Sequence, residues 1–257
     1  MNLHLNNRLF LVGGATSGFG KAITEQLISE NAKVIAVART IEKLKELQKL
    51  SDNIEIIAGD LSDEKVLDTI VNTIGNRVLT GAVINSGGPP AMPVLDTKLS
   101  DWDDAYKTVV RWKIGLTQAL IPKMIEQQYG RLLYIESVSV KQPIENLVLS
   151  NAMRLAVVGY VKTLSQEIGA SGVTLNILGP GFHATQRMEN LFKKNSELKG
   201  IPESEIRASV AKQAAMEKIG SPNDFASLAL WLLSPHSGYI SGQTISVDGG
   251  LVKGTMG

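Results

Sequence analysis

Short, continuously apolar runs alternate along this chain with amphipathic segments of helical period, and this alternation constrains the fold more than any other feature. The runs Leu9–Val12, Lys33–Ala38, Ile54–Ala58, Leu79–Asn85, Arg131–Glu136, Val173–Ile177 and Thr244–Val247 have strand length. Helical segments fall between them at Gly20–Glu30, Ile41–Leu50, Asp63–Ile74, roughly Ser100 to Gln128, Asn146–Gly169 and Pro222–Leu233, with Ser62 the expected N-cap of the third. A strand that is apolar on both sides must be covered on both sides, which predicts a parallel sheet between two helical layers. Right-handed crossovers then give a single doubly wound α/β (Rossmann) domain over residues 1–257, with a seven-stranded parallel sheet and helices on both faces. Residues Gln186 to Ala214 break the rhythm: they are polar, rich in Lys and Glu, and sit between a strand and the last helix. An insertion there predicts a lid over a substrate. The alternative is a solvated helical excursion.

Composition narrows the function classes. Lys and Arg number 26 against 25 Asp and Glu, so the net charge is +1, and no basic block stands out. A nucleic-acid partner is not expected. Cysteine is absent, which excludes disulfides, thiolate metal ligands and thiol catalysis. Histidine occurs only at 4, 183 and 236, which argues against a histidine metal cluster. Met1 to Arg8 is short and polar and does not read as a signal peptide, and no apolar run has membrane-spanning length. The expectation is a cytoplasmic protein with a small-molecule substrate and no membrane partner.

Gly13-Gly14-Ala15-Thr16-Ser17-Gly18-Phe19-Gly20 lies between the first strand and the first helix. Glycines there permit a tight turn and let the backbone approach a pyrophosphate, while the helix start adds N–H groups and a positive dipole end. Gly14, Thr16, Ser17, Gly18, Phe19 and Gly20 are therefore the expected contacts of a dinucleotide. At the end of the second strand an NAD site usually places an acid for the ribose 2′-hydroxyl. Here that strand ends in Val37-Ala38-Arg39-Thr40. Arg39 suits a 2′-phosphate by charge and by its forked donors, with Ser17 and Thr40 as further donors, so NADP(H) is favoured over NAD(H). A surface arginine closing a strand is the alternative. Asp60, followed by Leu61, closes the third strand and can accept from an adenine amino group. Asn85-Ser86-Gly87-Gly88 closes the fourth; small residues there, Asn85 and Gly87 among the expected contacts, leave room for the adenosine ribose.

In this order, these features resemble the short-chain dehydrogenase/reductase family, in the style of its 3-oxoacyl-carrier-protein reductases, over essentially the whole chain. Gly14-x3-Gly18-x-Gly20 is similar to the family's cofactor motif, with Gly13 in place of its usual Thr. Asn176 to Gly181, with Pro180, Gly181 and Thr185, resembles the segment that flanks the nicotinamide. Ser241 to Gly250 resembles the C-terminal signature, which in the family supports a homotetramer. The resemblance implies hydride transfer to or from a carbonyl or alcohol.

The catalytic positions depart from the family's Asn, Ser and Tyr-x3-Lys. Ser137 matches the Ser, but the Tyr position holds Ser150, the Lys position Arg154 and the Asn position Val109. A Tyr hydroxyl, with an ordinary pKa near about 10, needs only modest help to protonate an alkoxide. A Ser hydroxyl is far less acidic, and Arg keeps its proton. Ser150 and Arg154 are spaced i, i+4 on one helix face and are expected to point at the nicotinamide. Ser137, Ser150 and Arg154 are the expected catalytic residues. Ser137 would polarise the carbonyl, Ser150 would position it or pass a proton from water, and Arg154 would hold the ribose and the developing oxyanion. Among stand-ins, His183 has a suitable pKa unless it faces solvent, and Lys141 would border the pocket unless merely solvated. Tyr160 is expected to be packed off the Ser150 face, and Tyr134 to lie on the sheet face opposite Ser137. Two functions follow: an oxidoreductase with an altered proton donor, or a catalytically silent NADP(H)-binding sensor or scaffold.

Overall fold

The computed structural model describes residues 1–255. Its strands are β1 Leu9–Gly13, β2 Lys33–Ala38, β3 Ile54–Ala58, β4 Leu79–Ile84, β5 Gly130–Ile135, β6 Val173–Pro180 and β7 Thr244–Val247. Its helices are α1 Gly18–Ser29, α2 Ile41–Gln48, α3 Glu64–Ile74, α4 Leu99–Ala105, α5 Trp112–Glu126, α6 Val148–Glu167, α7 Gln186–Lys199, α8 Glu203–Ala211 and α9 Pro222–Leu233. All strand pairs are parallel, in the order β3-β2-β1-β4-β5-β6-β7. The chain starts mid-sheet, walks to one edge, and returns beside β1 to walk to the other. That reversal leaves a crevice beyond the carboxyl ends of β1 and β4.

Alternation along each strand sorts the core into two layers. Leu9, Leu11, Ile35 and Val37 face α3, α5 and α6, whereas Phe10, Val12, Val34 and Ala36 face α1, α2 and α9. Both layers are buried, as the continuous apolar runs require. Among the described residues no helix is long and apolar enough to cross a membrane, and no three metal-ligating side chains cluster.

Three local readings are corrected. Helix α3 is capped by Asp63, whose carboxylate accepts from Lys65 N at 3.0 Å. Ser62 instead turns back on Asp60, donating its N–H and O–H to Asp60 Oδ1 at 2.9 and 2.7 Å. The long helical region is interrupted by a π-helical turn at Tyr106–Arg111, and Val109 is buried inside it. His183 does not face solvent. It is 4% exposed, with its ring 5.1 Å from Phe19 and 5.7 Å from Phe225, edge-on to both.

The excursion after β6 forms α7 and α8, joined by an ion pair between Arg207 and Glu189. Its two ends meet: Ala184 N donates to Gly220 O and Gly220 N to Phe182 O, both at 2.9 Å. A Cβ at Gly220 would lie 2.8 Å from the His183 ring, so the meeting point requires glycine.

Phe10 is fully buried on the α1/α9 side of β1. Phe10→Ala is expected to lower the unfolding free energy by about 3–5 kcal/mol, measured by urea denaturation, with the same secondary structure by circular dichroism.

Candidate cofactor and catalytic site

The Gly-rich turn is shaped by contacts within the protein. Gly14 has φ 61°, and a Cβ there would lie 2.7 Å from Asn85 Nδ2. Asn85 donates from that atom to Gly13 O at 3.0 Å, tying the ends of β1 and β4 together. A Cβ at Gly20 would collide with Gly14 O, so Gly20 lets α1 close against the turn. Phe19 points inward, with its ring 4.2 Å from that of Phe225. Ser17, the N-cap of α1, makes no side-chain capping bond, and the first turn holds no acid. By contrast, Ser221 caps α9 and pairs with Asp224 in a capping box. The first amides of α1 are left for an external acceptor, which suits a pyrophosphate.

A cleft of about 590 Å³ opens above this turn. Of the residues expected at the cofactor, Gly14, Thr16, Ser17, Arg39, Thr40, Asp60, Leu61 and Gly87 line it. Gly18, Phe19, Gly20, Asn85, Pro180, Gly181 and Thr185 are not in its walls. Several of them position the walls instead. A Cβ at Gly181 would lie 2.7 Å from Asp248 Cβ, and Gly181 N donates to Val247 O at 3.0 Å, which docks the C-terminal segment onto β6. Thr185 is the N-cap of α7 and lies over Gly18. Lys43, on α2, lines the cleft beside Arg39 and was missed by sequence reading. Its one available signal is its place in the first turn of the helix after Arg39. Hydrogen bonds from Ser62 and the nearby Arg39 charge hold Asp60 below the ordinary carboxylate range. A second cleft of about 660 Å³, lined by Asn7, Lys33 and Arg77, lies at the opposite, amino-terminal ends of the strands.

The expected catalytic residues gather at the carboxyl end of β5. Ser137 caps a short 3-10 turn, Val138–Val140, and its Oγ accepts from Ser139 N at 3.1 Å. Ser150 and Arg154 do share one face of α6: Arg154 Nε donates to Ser150 Oγ at 3.0 Å. Arg154 Nη1 donates to Glu136 Oε2 at 2.9 Å and to Glu136 O at 3.1 Å. The other oxygen of Glu136 accepts from Lys113 Nζ. Lys113, Glu136 and Arg154 are all buried, so one carboxylate serves two buried cations. Lys113 and Glu136 were missed by sequence reading, because nothing local links α5 to the end of β5. Burial, partly offset by Glu136, pulls Lys113 from its ordinary 10.5 down to about 8.

Three of the four stand-ins are engaged in packing. Tyr134 is fully buried with its hydroxyl 2.7 Å from Thr117 Oγ1, and burial pushes its pKa far above the ordinary range. Tyr160 packs against the core layer of α5 and α6, as expected. His183 is held below its ordinary pKa by burial and is spent on packing. Lys141 ends the 3-10 turn after Ser137.

A family model described as enoyl-(acyl carrier protein) reductase matches residues 14–252. The chain is 28% identical over 250 residues to the 3-oxoacyl-[acyl-carrier-protein] reductase FabG of Haemophilus influenzae, covering 96% of this chain and 99% of that protein. It is 28% identical over 263 residues to the NADPH-dependent reductase BacG of Bacillus subtilis, covering 97% and 99%. Its fold matches that of L-sorbose reductase from Gluconobacter frateurii, solved with NADPH and L-sorbose, at a TM-score of 0.93 and 23% identity, over 99% of this chain and 100% of that one.

The unfolded chain holds the Lys113 proton up to 10.5 and the folded protein only up to about 8. Between those values unfolding takes up a proton, so this group makes stability rise with pH, by up to about 1.4 kcal/mol per unit. Tyr134, raised in the folded state, acts with the opposite sign above its ordinary 10.0. It is common to both proteins in a comparison with Lys113→Met. Urea titrations from pH 8 to 10 are expected to show wild type gaining stability relative to that variant.

Proposed function

The chain belongs to the short-chain dehydrogenase/reductase family, and from that premise we propose that it is an NADP(H)-dependent oxidoreductase of carbonyl or alcohol substrates with an altered proton donor. The contact that carries this reading is Arg154 Nε to Ser150 Oγ, 3.0 Å, on an arginine held rigid by Glu136. It supports a preorganised pair in the places of the family's Tyr and Lys.

The residues present fit the cofactor. The open amides of α1 and the turn from Gly14 to Gly18 would hold the pyrophosphate. Arg39 and Lys43, with Thr16, Ser17 and Thr40, would hold a 2′-phosphate. Asp60 and Leu61 would border the adenine, Asn85 and Gly87 the ribose, and Pro180, Gly181 and Thr185 the nicotinamide. NADPH, when bound, supplies a hydride to the carbonyl carbon and leaves as NADP⁺, while the carbonyl oxygen takes a proton. Ser137 Oγ would polarise that oxygen. Ser150 Oγ already accepts from Arg154, which leaves its own O–H as a donor to the oxygen, replenished from water. Arg154 would stabilise the developing negative charge without giving up its proton.

The buried, apolar Val109 at the family's Asn position favours a second reading, a sensor that binds NADP(H) and transfers nothing. Turnover decides between them. Purified protein is expected to consume NADPH, followed by nicotinamide absorbance, with at least one member of a carbonyl panel, and Arg154→Ala to slow it by about a hundredfold. No turnover in either direction, together with activity gained by Ser150→Tyr with Arg154→Lys, would establish the sensor instead. Arg39→Ala with Lys43→Ala is expected to weaken NADPH binding by about tenfold or more, with NADH affinity nearly unchanged, measured by calorimetry.

A further inference from the structure

Positive charge is in excess in the buried cluster beside the cleft, whose own walls set Arg39, Lys43 and Arg187 against Asp60, Asp101 and Asp104. Lys113 and Arg154 share the single carboxylate of Glu136, which leaves that buried cluster one positive charge over. Arg187 adds another from the first turn of α7, and it lines the cleft with Gly87 and Gly88. Among the described residues no carboxylate pairs with Arg187. Its placement deepens the excess, because the amino end of a helix is itself positive and ordinarily draws acids. Glu189, the acid nearest in that turn, is engaged by Arg207. Partial burial and the neighbouring Arg154 charge pull Arg187 below the usual arginine range.

Both guanidiniums reach the same glycine. A Cβ built on Gly88 would lie 2.9 Å from Arg154 Nη2 and 3.2 Å from Arg187 Nη1. Arg154 Nε and Nη1 are committed to Ser150 and Glu136, whereas Nη2 donates to no acceptor among the described residues. Two guanidinium edges that both reach Gly88, one of them on an arginine without a carboxylate partner among the described residues, can together grip the two oxygens of a carboxylate placed beside that glycine.

We propose that Arg154 and Arg187 form a carboxylate site over Gly88, so that the substrate is a keto acid or hydroxy acid. This rests on the hydride-transfer reading above and names its substrate class. The phosphates of a dinucleotide are provided for elsewhere, at the amides of α1 and at Arg39 and Lys43. The arginine pair is instead joined to Ser150 through Arg154 Nε, which sets a bound acid beside the proposed proton donor.

Calorimetry on the full chain, with and without NADPH, tests this, using oxamate and malonate as probes and malonamide as their neutral counterpart. The two acids are expected to bind and malonamide not to. Arg187→Gln is expected to weaken the acids by about tenfold or more while the NADPH affinity moves less than about threefold. Arg187→Lys, which keeps the charge but not the fork, should fall between. Gly88→Ala, which sets a methyl against both guanidiniums without removing a charge, should reproduce the loss. The proposal is overturned if neither acid binds, or if Arg187→Gln leaves their affinity unchanged. It is equally overturned if that variant lowers NADPH affinity by about tenfold instead, which would give Arg187 to the cofactor's phosphates. Arg187-dependent binding of the acids in a protein that turns over no carbonyl would sink the hydride reading and leave the carboxylate site standing.

Discussion

A parallel sheet covered on both faces has no room for unpaired polar groups except at the ends of its strands. Everything chemical in this protein follows from that constraint. Helices α1, α2 and α9 close one face and α3, α5 and α6 the other. Each crossover therefore delivers its loop to a strand end, and the reversal of direction between β1 and β4 spreads those loops into a cleft. Asn85 shows how tightly the arrangement is drawn: its side-chain amide, bonded to Gly13 O, extends the β1–β4 ladder past the place where the two halves part.

Beside that cleft the decisive charge is Glu136. Its side chain is fully buried at the end of β5 and accepts from Lys113 on one oxygen and Arg154 on the other. Removing water from three charges is costly, and such a cluster persists only when its geometry satisfies every member. The return is rigidity. Arg154 cannot swing away, so the serine it bonds and the free face of its guanidinium stay fixed relative to β5. A lysine in that place would present a single mobile ammonium, without the second edge that reaches Gly88.

Much of this was legible in the sequence, for identifiable reasons. Strand runs and helix periods are local signals, and so is a glycine-rich turn placed after the first strand. Ser150 and Arg154 share a face because four residues make about one helical turn. The misreadings arise where two residues compete or where contact is made through space. Ser62 and Asp63 are both good caps, and Asp60 settles the choice by engaging Ser62. His183 reads as a solvent-facing residue near a lid until Phe19 and Phe225, far away in the chain, close around it. Lys113 sits in an amphipathic helix like any surface lysine, and only the pairing of α5 with the end of β5 reveals it as buried. Arg187 and Lys43 escaped notice because a cleft wall assembled from separate loops has no period.

The neck at His183 and Gly220 has a consequence beyond packing. The two ends of the α7–α8 excursion are stitched to one another where one leaves β6 and the other enters α9. Closing such a loop costs an entropy that grows only slowly with its length. The excursion is thus a cassette closed at its neck by one seam and steadied after α8 by a second, where Met216 N donates to Gly249 O at 2.9 Å. Its contents can be lengthened, trimmed or exchanged while β6, α9 and the two cores stay in register. Selection could in this way re-tailor what the protein grips without reopening the question of how it folds.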